Sequence, residues 1–277
     1  MVIGGRSFDT EHEMYIMGIL NVTPDSFSDG GKWNSMDTAL KHAEEMIAQG
    51  ADIIDIGGES TRPGHTPVSE SEEIERVTPY IEKIKASFDI PVSIDTYKPL
   101  VCEAALKAGA DLVNDIWGLK YDEKMAGLIA AYDVPCCLMH NRKETVYQNF
   151  VEDVLSDLRE SVDIGVRAGI RKENIILDPG VGFGKTYEQN LIIINHLERL
   201  LELDCPVLLG TSRKSVIGLT LDIKPEERVT GTVATTVIGA MKGCAFYRVH
   251  DCLENRQALK MVQAVLREGD RDGLHFN

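Results

Sequence analysis

Short apolar, β-branched runs alternate with longer segments of helical period along the whole chain, and this alternation limits the possible folds more than any other feature. The predicted strands are Tyr15–Leu20, Ile53–Ile56, Val92–Ile94, Leu112–Val113, Val134–Met139, Ile175–Leu177, Val207–Leu209 and Ala245–Val249. Such alternation is typical of repeated βα units with parallel strands. Eight units without a Ser/Pro/Gly-rich linker predict one α/β domain over residues 1–277, a (β/α)₈ TIM barrel with an N-terminal extension at about 1–13. A doubly wound open sheet is the structural alternative.

Two of the intervening segments illustrate the predicted helices. The first begins at Ser69, which with Glu72 forms a candidate capping box, and its apolar residues recur at spacings of three and four: Ile74, Val77, Ile81 and Ile84. The second lies near the end of the chain, and its apolar stripe is Leu259, Val262, Val265 and Leu266. We expect both stripes to face a sheet.

The charge balance excludes one broad class of partner. A net charge of −15 and a pI near 4.9 repel phosphate backbones, and the sequence has no basic patch that would offset them, so no nucleic-acid partner is expected. An anionic substrate would need a local basic pocket.

Cysteine and histidine spacing gives no sign of a structural zinc site, because the six cysteines form no C-x-x-C pair and the seven histidines no ligand spacing. The vicinal Cys136 and Cys137 are predicted to be buried, reduced thiols. The first residues lack the apolar region of a secretory signal, and no apolar run approaches the roughly 18 residues of a membrane span. We therefore expect a soluble, cytoplasmic protein with no membrane partner.

Polar residues stand at the carboxyl end of nearly every predicted strand: Asn21, Asp55, Asp95, Asn114, Asp115, His140, Asp178, Thr211, Ser212, Arg213, Lys214, Arg248 and His250. Any one of them could simply cap a helix or hold a turn. In a (β/α)₈ barrel, however, all these ends meet at one rim, where active sites are built. Their convergence predicts a functional site there.

Three loops at this rim are rich in glycine. Residues 21–31 and 57–64 also contain proline and read either as simple surface loops or as loops that close over a substrate with Phe27 and Arg62. Residues 178–186 are not a phosphate-binding P-loop, because Pro179 stands where that motif requires glycine. A glycine-lined turn that lets a flat ligand approach the backbone is the better interpretation.

Taken together, the strand-end motifs resemble those of the dihydropteroate synthase family. The matching blocks, in family order, are Met17–Gly31, Gly58–Gly64, Ser93–Thr96, Val113–Asp115, Leu138–His140, Leu177–Thr186, Gly210–Ser215 and Arg248–Asp251. They cover nearly the whole chain. The resemblance implies a homodimeric transferase that condenses 6-hydroxymethyl-7,8-dihydropterin pyrophosphate with p-aminobenzoate in the presence of Mg²⁺, giving 7,8-dihydropteroate and pyrophosphate.

The resemblance also implies roles for individual residues. The pterin-binding set is Asp95, Asn114, Ile116, Met139, Asp178, Phe183, Gly210, Lys214 and Arg248. Asp178 suits its role chemically, because one carboxylate can accept both the ring N–H and the exocyclic amine of a pterin. The p-aminobenzoate set, at which sulfonamides would compete, is Phe27, Thr61, Arg62, Pro63, Phe183, Lys214 and Ser215.

The pyrophosphate set is Asn21, Arg62, Arg248 and His250, with Asn21 as the metal ligand. The catalytic set is Asn21, Phe27, Asp29, Arg62, Asp95, Lys214, Arg248 and His250. The family is thought to react through loss of pyrophosphate before attack by the amine, and direct displacement stays open.

Two other functions are compatible with a pterin pocket in this barrel. One is a pterin-binding paralogue that does not catalyse the condensation, and the other is a methyltetrahydrofolate-binding methyltransferase domain. The first would not need Phe27, Arg62 and Ser215. The second should lack the Ser-Phe-Ser-Asp-Gly-Gly and Thr-Arg-Pro-Gly loops.

Overall fold

A computed structural model describes residues 1–22, 32–59 and 68–267. The chain begins with two short antiparallel strands, β1 (Val2–Ile3) and β2 (Arg6–Ser7). The strands that follow are β3 (Tyr15–Asn21), β4 (Ile53–Gly57), β5 (Val92–Asp95), β6 (Leu112–Asp115), β7 (Cys136–Met139), β8 (Ile175–Asp178), β9 (Leu208–Leu209) and β10 (Phe246–Val249).

Within the described residues, β3 to β10 form one parallel sheet in the order β8-β7-β6-β5-β4-β3-β10-β9. A parallel bridge between Leu177 and Val207 joins the two edges, and the Leu177 N–H donates to the Pro206 carbonyl at 2.9 Å. The sheet therefore closes into a (β/α)₈ TIM barrel, which confirms the predicted fold over the open sheet.

All eight predicted strands are confirmed, with ends that differ by one or two residues. Three predicted strands begin one or two residues too early, since the structure starts them at Cys136, Leu208 and Phe246. The first two of these starts come soon after Pro135 and Pro206. Proline has no N–H to donate to a strand ladder. Both prolines contribute only a carbonyl, which accepts from Val113 and Leu177 respectively.

The helices lie outside the barrel, between successive strands. Their described bounds are α1 (Lys32–Ala48), α2 (Glu70–Ser87), α3 (Pro99–Lys107), α4 (Lys124–Tyr132), α5 (Phe150–Ala168), α6 (Tyr187–Asn195), α7 (Ser215–Leu221), α8 (Val229–Met241) and α9 (Cys252–Leu266). The loop after β9 carries both α7 and α8. None of these helices is long and apolar enough to cross a membrane.

The predicted capping box of α2 forms only in part. The Ser69 hydroxyl accepts from the Glu72 N–H at 3.3 Å, as predicted for an N-cap. The Glu72 carboxylate does not reach back to Ser69, because it pairs with Arg76 one turn further on. The predicted apolar stripe faces the barrel, with Val77, Ile81 and Ile84 fully buried.

The stripe of α9 is buried only at its first half. Leu259 and Val262 are buried as predicted, whereas Val265 and Leu266 are 59% and 53% exposed. The packed face of this helix therefore ends at Val262, one turn before the helix itself. The prediction was wrong for the last two residues.

The core has two parts. The larger lies between the sheet and the helices, and a smaller cluster fills the barrel near the amino ends of the strands: Ile3, Phe8, Met17, Ile53, Leu112, Cys137, Ile176, Leu208, Ala245 and Phe246. Ile3 and Phe8 come from the N-terminal extension, which packs against this end of the barrel. All six cysteines are free thiols and are buried, which confirms the prediction for Cys136 and Cys137. The opposite end of the barrel is polar.

Candidate active site

A charged cluster lies at the carboxyl ends of β10, β4 and β5. The Arg248 guanidinium donates from Nε to Asp55 Oδ2 and from Nη2 to Asp95 Oδ2, each at 2.6 Å. The Asn114 amide donates to the same Asp55 oxygen at 3.4 Å. One cation thus joins two buried carboxylates from separate strands, and Asp95, Asn114 and Arg248 meet as the sequence predicted.

The strand register explains why these side chains meet. Asn21, Gly57, Asp95 and Asn114 are successive partners across β3, β4, β5 and β6. Partners in parallel strands lie at the same level of the sheet. Gly57 carries no side chain in this row, and a Cβ there would lie 3.6 Å from Asn21 Oδ1 and 3.7 Å from Asp95 Oδ2. Asn21 and Asp95 therefore face each other across Gly57.

The cluster leaves acceptor atoms unused. Within the described residues, Oδ1 of Asp55 and Oδ1 of Asp95 are buried and have no hydrogen-bond partner. Burial, together with the neighbouring charge of Asp55, raises the pKa of Asp95 to about 7 against the opposing effect of Arg248. Buried acceptors without partners are costly in a folded protein. Donors on a bound ligand would satisfy these oxygens.

Asp178, at the end of β8, is a second buried carboxylate at the rim. Its Oδ1 accepts from the Gly180 N–H at 2.7 Å, and burial raises its pKa against the opposing charge of Lys214. A Cβ on Gly210 would lie 3.5 Å from Asp178 Oδ2, 3.8 Å from Lys214 Nζ and 3.9 Å from Arg248 Cβ. These three predicted pterin residues therefore surround the bare backbone of Gly210.

Lys214 precedes α7 and reaches into the same space. Its ammonium donates to the Val181 carbonyl at 2.6 Å and lies 4.9 Å from the centre of the Phe183 ring. Burial lowers its pKa to about 8, although Asp178 favours the charged form. The structure thus brings Lys214 and Phe183 together, as predicted for residues assigned to both the pterin and the p-aminobenzoate sites.

The glycine-rich turn after β8 needs its glycines. Gly180, Gly182 and Gly184 all have positive φ angles, of 67°, 87° and 55°. A Cβ on Gly180 would lie 1.9 Å from the His140 carbonyl oxygen, and one on Gly184 would lie 2.5 Å from that of Arg142. No other residue fits at these two positions without moving the backbone. The turn therefore packs tightly against the segment that follows β7.

A buried polar network behind this turn was not predicted. Lys185 donates to His140 Nδ1 at 2.7 Å and to the carbonyls of Gly180 and Phe183 at 3.0 Å each. His140 Nε2 lies 3.0 Å from Asp157 Oδ2, which also accepts from Arg142 Nε at 2.6 Å. The sequence places His140 at a strand end and Lys185 in a family block. Nothing in it links either residue to Asp157 on α5.

Asp55 is among the strand-end residues that predict a site, but no individual role there was predicted for it. A carboxylate between Ile54 and Ile56 in an otherwise apolar strand is a signal that could have revealed it. Asp115, by contrast, has the simple role open to any strand-end carboxylate. It accepts from the N–H groups of Trp117 and Leu119, at 2.8 Å each, and so holds the turn after β6.

The remaining predicted residues are distributed as follows. Ile116 and Met139 are buried, and Met139 is the strand partner of Asp178. His250 Nδ1 lies 3.0 Å from the Ser212 hydroxyl, which accepts from the His250 N–H. Ser215 is exposed at the start of α7. The predicted residues that lie outside the described part of the chain are Phe27, Asp29, Thr61, Arg62 and Pro63.

A buried ion cluster joins the two ends of the undescribed segment 60–67. Lys98 forms ion pairs with Glu59 and Glu73, the latter at 2.7 Å, and donates to the Val68 carbonyl at 2.7 Å. The three charged side chains are almost entirely buried. Glu59 and Val68, which border the segment, are therefore held by one lysine.

In the part of the chain that the structure describes, no three His, Cys, Asp or Glu side chains are arranged to hold a metal ion. The described residues therefore offer few protein ligands for a resident metal. The Asn21 side-chain oxygen is a hard, neutral donor at the rim. Mg²⁺ commonly takes one or two protein oxygens and completes its shell with phosphate and water. The donors present therefore fit an ion that arrives with a pyrophosphate.

Comparison with known proteins shows the family to which the chain belongs. A family model described as pterin binding enzyme matches residues 17–250. The protein is thus a pterin-binding enzyme built on a (β/α)₈ barrel.

Known relatives show to which family of pterin-binding enzymes the chain belongs. A dihydropteroate synthase from Clostridium beijerinckii is 63% identical over 96% of this chain and the whole of that protein. The solved dihydropteroate synthase from Clostridium difficile, in the presence of pteroic acid, has a TM-score of 0.92 and 52% identity, covering 94% of this chain and 100% of that one. The Xanthomonas albilineans enzyme with 4-aminobenzoic acid has a TM-score of 0.91 and 43% identity, covering 95% and 97%. The chain belongs to the dihydropteroate synthase family and is a transferase.

Proposed function

We propose that the cluster at the barrel rim condenses 6-hydroxymethyl-7,8-dihydropterin pyrophosphate with p-aminobenzoate to form 7,8-dihydropteroate and pyrophosphate. The observation that carries the proposal is the buried Asp178 carboxylate beside Lys214 and Arg248, in a chain of this family. The Clostridium difficile relative was solved in the presence of pteroic acid. This supports the synthase over a methyltransferase domain.

In this proposal the pterin ring lies flat over Gly210. Asp178 accepts the ring N–H and the exocyclic amine, with Asn114 as its amide neighbour, while Asp95 addresses the remaining edge of the ring. The free Oδ1 of Asp95 supports that role, since it has no described partner. Lys214 supplies a donor at the same edge. Ile116, Met139 and Phe183 form the apolar walls.

The leaving pyrophosphate needs positive charge that a protein of net charge −15 must gather locally. Arg248 and His250 supply it, with Arg62 as a further predicted cation. Asn21 would hold Mg²⁺ together with the pyrophosphate oxygens, and the ion would neutralise charge that develops on the leaving group. Arg248 is already ordered by Asp55 and Asp95. Its orientation therefore does not depend on the substrate.

The chemical step breaks the bond between the pterin methylene carbon and the pyrophosphate oxygen, and it forms a bond from that carbon to the amine of p-aminobenzoate. The amine loses one proton, which passes to the released pyrophosphate or to solvent. An electron-rich dihydropterin can stabilise the cation that remains when pyrophosphate leaves first, so we propose the dissociative order.

The p-aminobenzoate site is proposed next to the pterin, where Phe183, Lys214 and Ser215 meet the loops that carry Phe27, Thr61, Arg62 and Pro63. Asp29 completes the proposed catalytic set. The Xanthomonas albilineans relative was solved with 4-aminobenzoic acid. Sulfonamides, which resemble this substrate, would compete for the same site.

We further propose one domain over residues 1–277 and a homodimer. Support for the single domain comes from the N-terminal extension, whose Ile3 and Phe8 share a buried cluster with the barrel. Support for the dimer comes from exposed apolar side chains on the adjacent helices α8 and α9: Ile238, Met241, Leu253, Met261 and Val265. A patch of this kind often marks a subunit interface. Six buried, reduced thiols suit a cytoplasmic location.

The function is tested by the release of pyrophosphate from the purified protein. We expect release with Mg²⁺ only when both the pterin pyrophosphate and p-aminobenzoate are present. Binding of the pterin without condensation would identify the chain as a paralogue that has kept only the pocket. Omission of Mg²⁺ is the matched control for the metal, and full activity without any divalent cation would reject its role.

A further inference from the structure

The glycine-rich turn that carries Phe183 and supports Asp178 is fixed by one buried ammonium group. Lys185 has three donor hydrogens, and three acceptors surround it: His140 Nδ1 at 2.7 Å and the carbonyl oxygens of Gly180 and Phe183 at 3.0 Å. Two of these acceptors belong to the turn itself. The ammonium therefore ties the turn to the end of β7.

The remaining acceptor, His140 Nδ1, defines the protonation state of the His140 ring. A lysine ammonium can only donate, so His140 Nδ1 must be unprotonated and its Nε2 must carry the proton. Nε2 then donates to Asp157 at 3.0 Å. Burial lowers the pKa of His140 to about 4, which agrees with a neutral ring. Arg142 donates to the same Asp157 oxygen, so the carboxylate stays charged and holds the ring in place.

The turn connects Lys185 to the pterin site through the backbone of Gly180 and Phe183. The Gly180 carbonyl binds Lys185, and the N–H of the same residue donates to Asp178 Oδ1 at 2.7 Å. Phe183, whose carbonyl also binds Lys185, places its ring 4.9 Å from Lys214 Nζ. Lys185 thus contacts the backbone of two residues that set the positions of an acceptor and a wall of the pocket.

We propose that Lys185, held by His140 and Asp157, is a positioning residue that orients Asp178 and Phe183 for pterin binding without touching the substrate. The proposal rests on the proposed function of the rim cluster. It predicts a graded effect, because Asp178 belongs to the pterin site alone and Phe183 to both sites: loss of the Lys185 ammonium weakens pterin binding more than it weakens the use of p-aminobenzoate.

The test compares Lys185→Met with Lys172→Met. Lys172 precedes the same strand, β8, at its other end, and its ion pair among the described residues is an exposed one with Asp204. Binding of 6-hydroxymethyl-7,8-dihydropterin is measured by calorimetry at pH 6, because burial lowers the pKa of Lys185 to about 7. The charged groups that surround this ammonium are Asp178, Lys214, Asp157 and Arg142. KM for each substrate is measured separately.

We expect Lys185→Met to weaken pterin binding and raise the pterin KM by about 10- to 100-fold, as for the loss of a charged hydrogen-bonding group. The KM of p-aminobenzoate should rise by a smaller factor, because Phe183 is the only one of the two positioned residues that belongs to its site. Lys172→Met should match the parent protein. Unchanged pterin binding, or equal losses for both substrates, would overturn the proposal.

A measurement on the unmodified protein covers the case in which Lys185→Met does not fold. The ¹⁵N shifts of the His140 ring, measured at pH 6 where Lys185 carries its charge, distinguish protonated from unprotonated nitrogens. An unprotonated Nδ1 with a protonated Nε2 supports the proposal, and a protonated Nδ1 overturns it. If the unmodified protein neither binds pterin nor releases pyrophosphate, the proposed function fails instead, so the two failures are distinguishable.

Discussion

The Arg248 guanidinium donates to Asp55 at 2.6 Å across β3, the strand that separates β10 from β4. Asp55 is fully buried and Arg248 is 19% exposed, so this pair orders the main cation of the site before any ligand arrives. A guanidinium held by two carboxylates cannot rotate away from the rim. We propose that this preorganisation prepares Arg248 to bind the pyrophosphate of the substrate.

Replacement of Arg248 by methionine should therefore lower the free energy of unfolding. Two buried carboxylates would lose their cation, which typically costs about 3 to 5 kcal/mol of the free energy of unfolding. The pKa of Asp95 would rise further, so the folded variant would hold a proton and be less destabilised at low pH. Urea unfolding at pH 5 and pH 8 checks this. An equal loss at both pH values would contradict it.

Asp115 gives a separate pH prediction. Burial raises its pKa to about 6 despite two backbone N–H donors, so its contribution to stability is present below about pH 4 and is lost as the pH rises through 6. Asp115→Asn removes this titration. The unfolding free energy of the parent protein, minus that of the variant, should fall by about 2 to 3 kcal/mol between pH 4 and pH 7. A constant difference would mean that the carboxyl is not buried as described.

Lys98 offers a prediction for stability alone. Lys98→Met leaves Glu59 and Glu73 buried without their shared cation, and we expect a loss of about 3 to 5 kcal/mol. Lys107→Met is the control, because Lys107 forms an exposed pair with Glu103 on α3 that contributes little. Thermal unfolding of both variants checks the difference. Similar melting temperatures would show that the buried cluster is not stabilising.

Inhibition by sulfonamides follows from the proposed p-aminobenzoate site. A sulfonamide should compete with p-aminobenzoate and not with the pterin pyrophosphate, so its apparent affinity should fall in proportion as p-aminobenzoate is raised. Steady-state inhibition at several concentrations of each substrate checks this. Inhibition that p-aminobenzoate does not relieve would place the drug elsewhere.

The sequence was sufficient to predict the barrel, because strand runs and helical stripes are local patterns. It also placed Asp95, Asn114, Asp178 and Arg248 at one rim, since parallel strands bring their ends together. The pairing of Lys185 with His140 and Asp157 could not be predicted in this way. It depends on side chains 45 and 17 residues apart whose approach follows from packing. Val265 and Leu266 were assigned to the core wrongly. Hydrophobic periodicity identifies the apolar face of a helix, but it does not show where along the helix the packing against the barrel ends.

The central claim is that the rim cluster around Asp178 is where the pterin binds for condensation. Calorimetric titration of 6-hydroxymethyl-7,8-dihydropterin into Asp178→Ala tests it most directly, with Asp115→Asn as the control for loss of a buried strand-end carboxylate. Asp178→Ala should lose about 2 to 4 kcal/mol of pterin binding free energy, while Asp115→Asn should bind like the parent protein. Unchanged pterin affinity in Asp178→Ala would show that the pterin does not bind at this carboxylate.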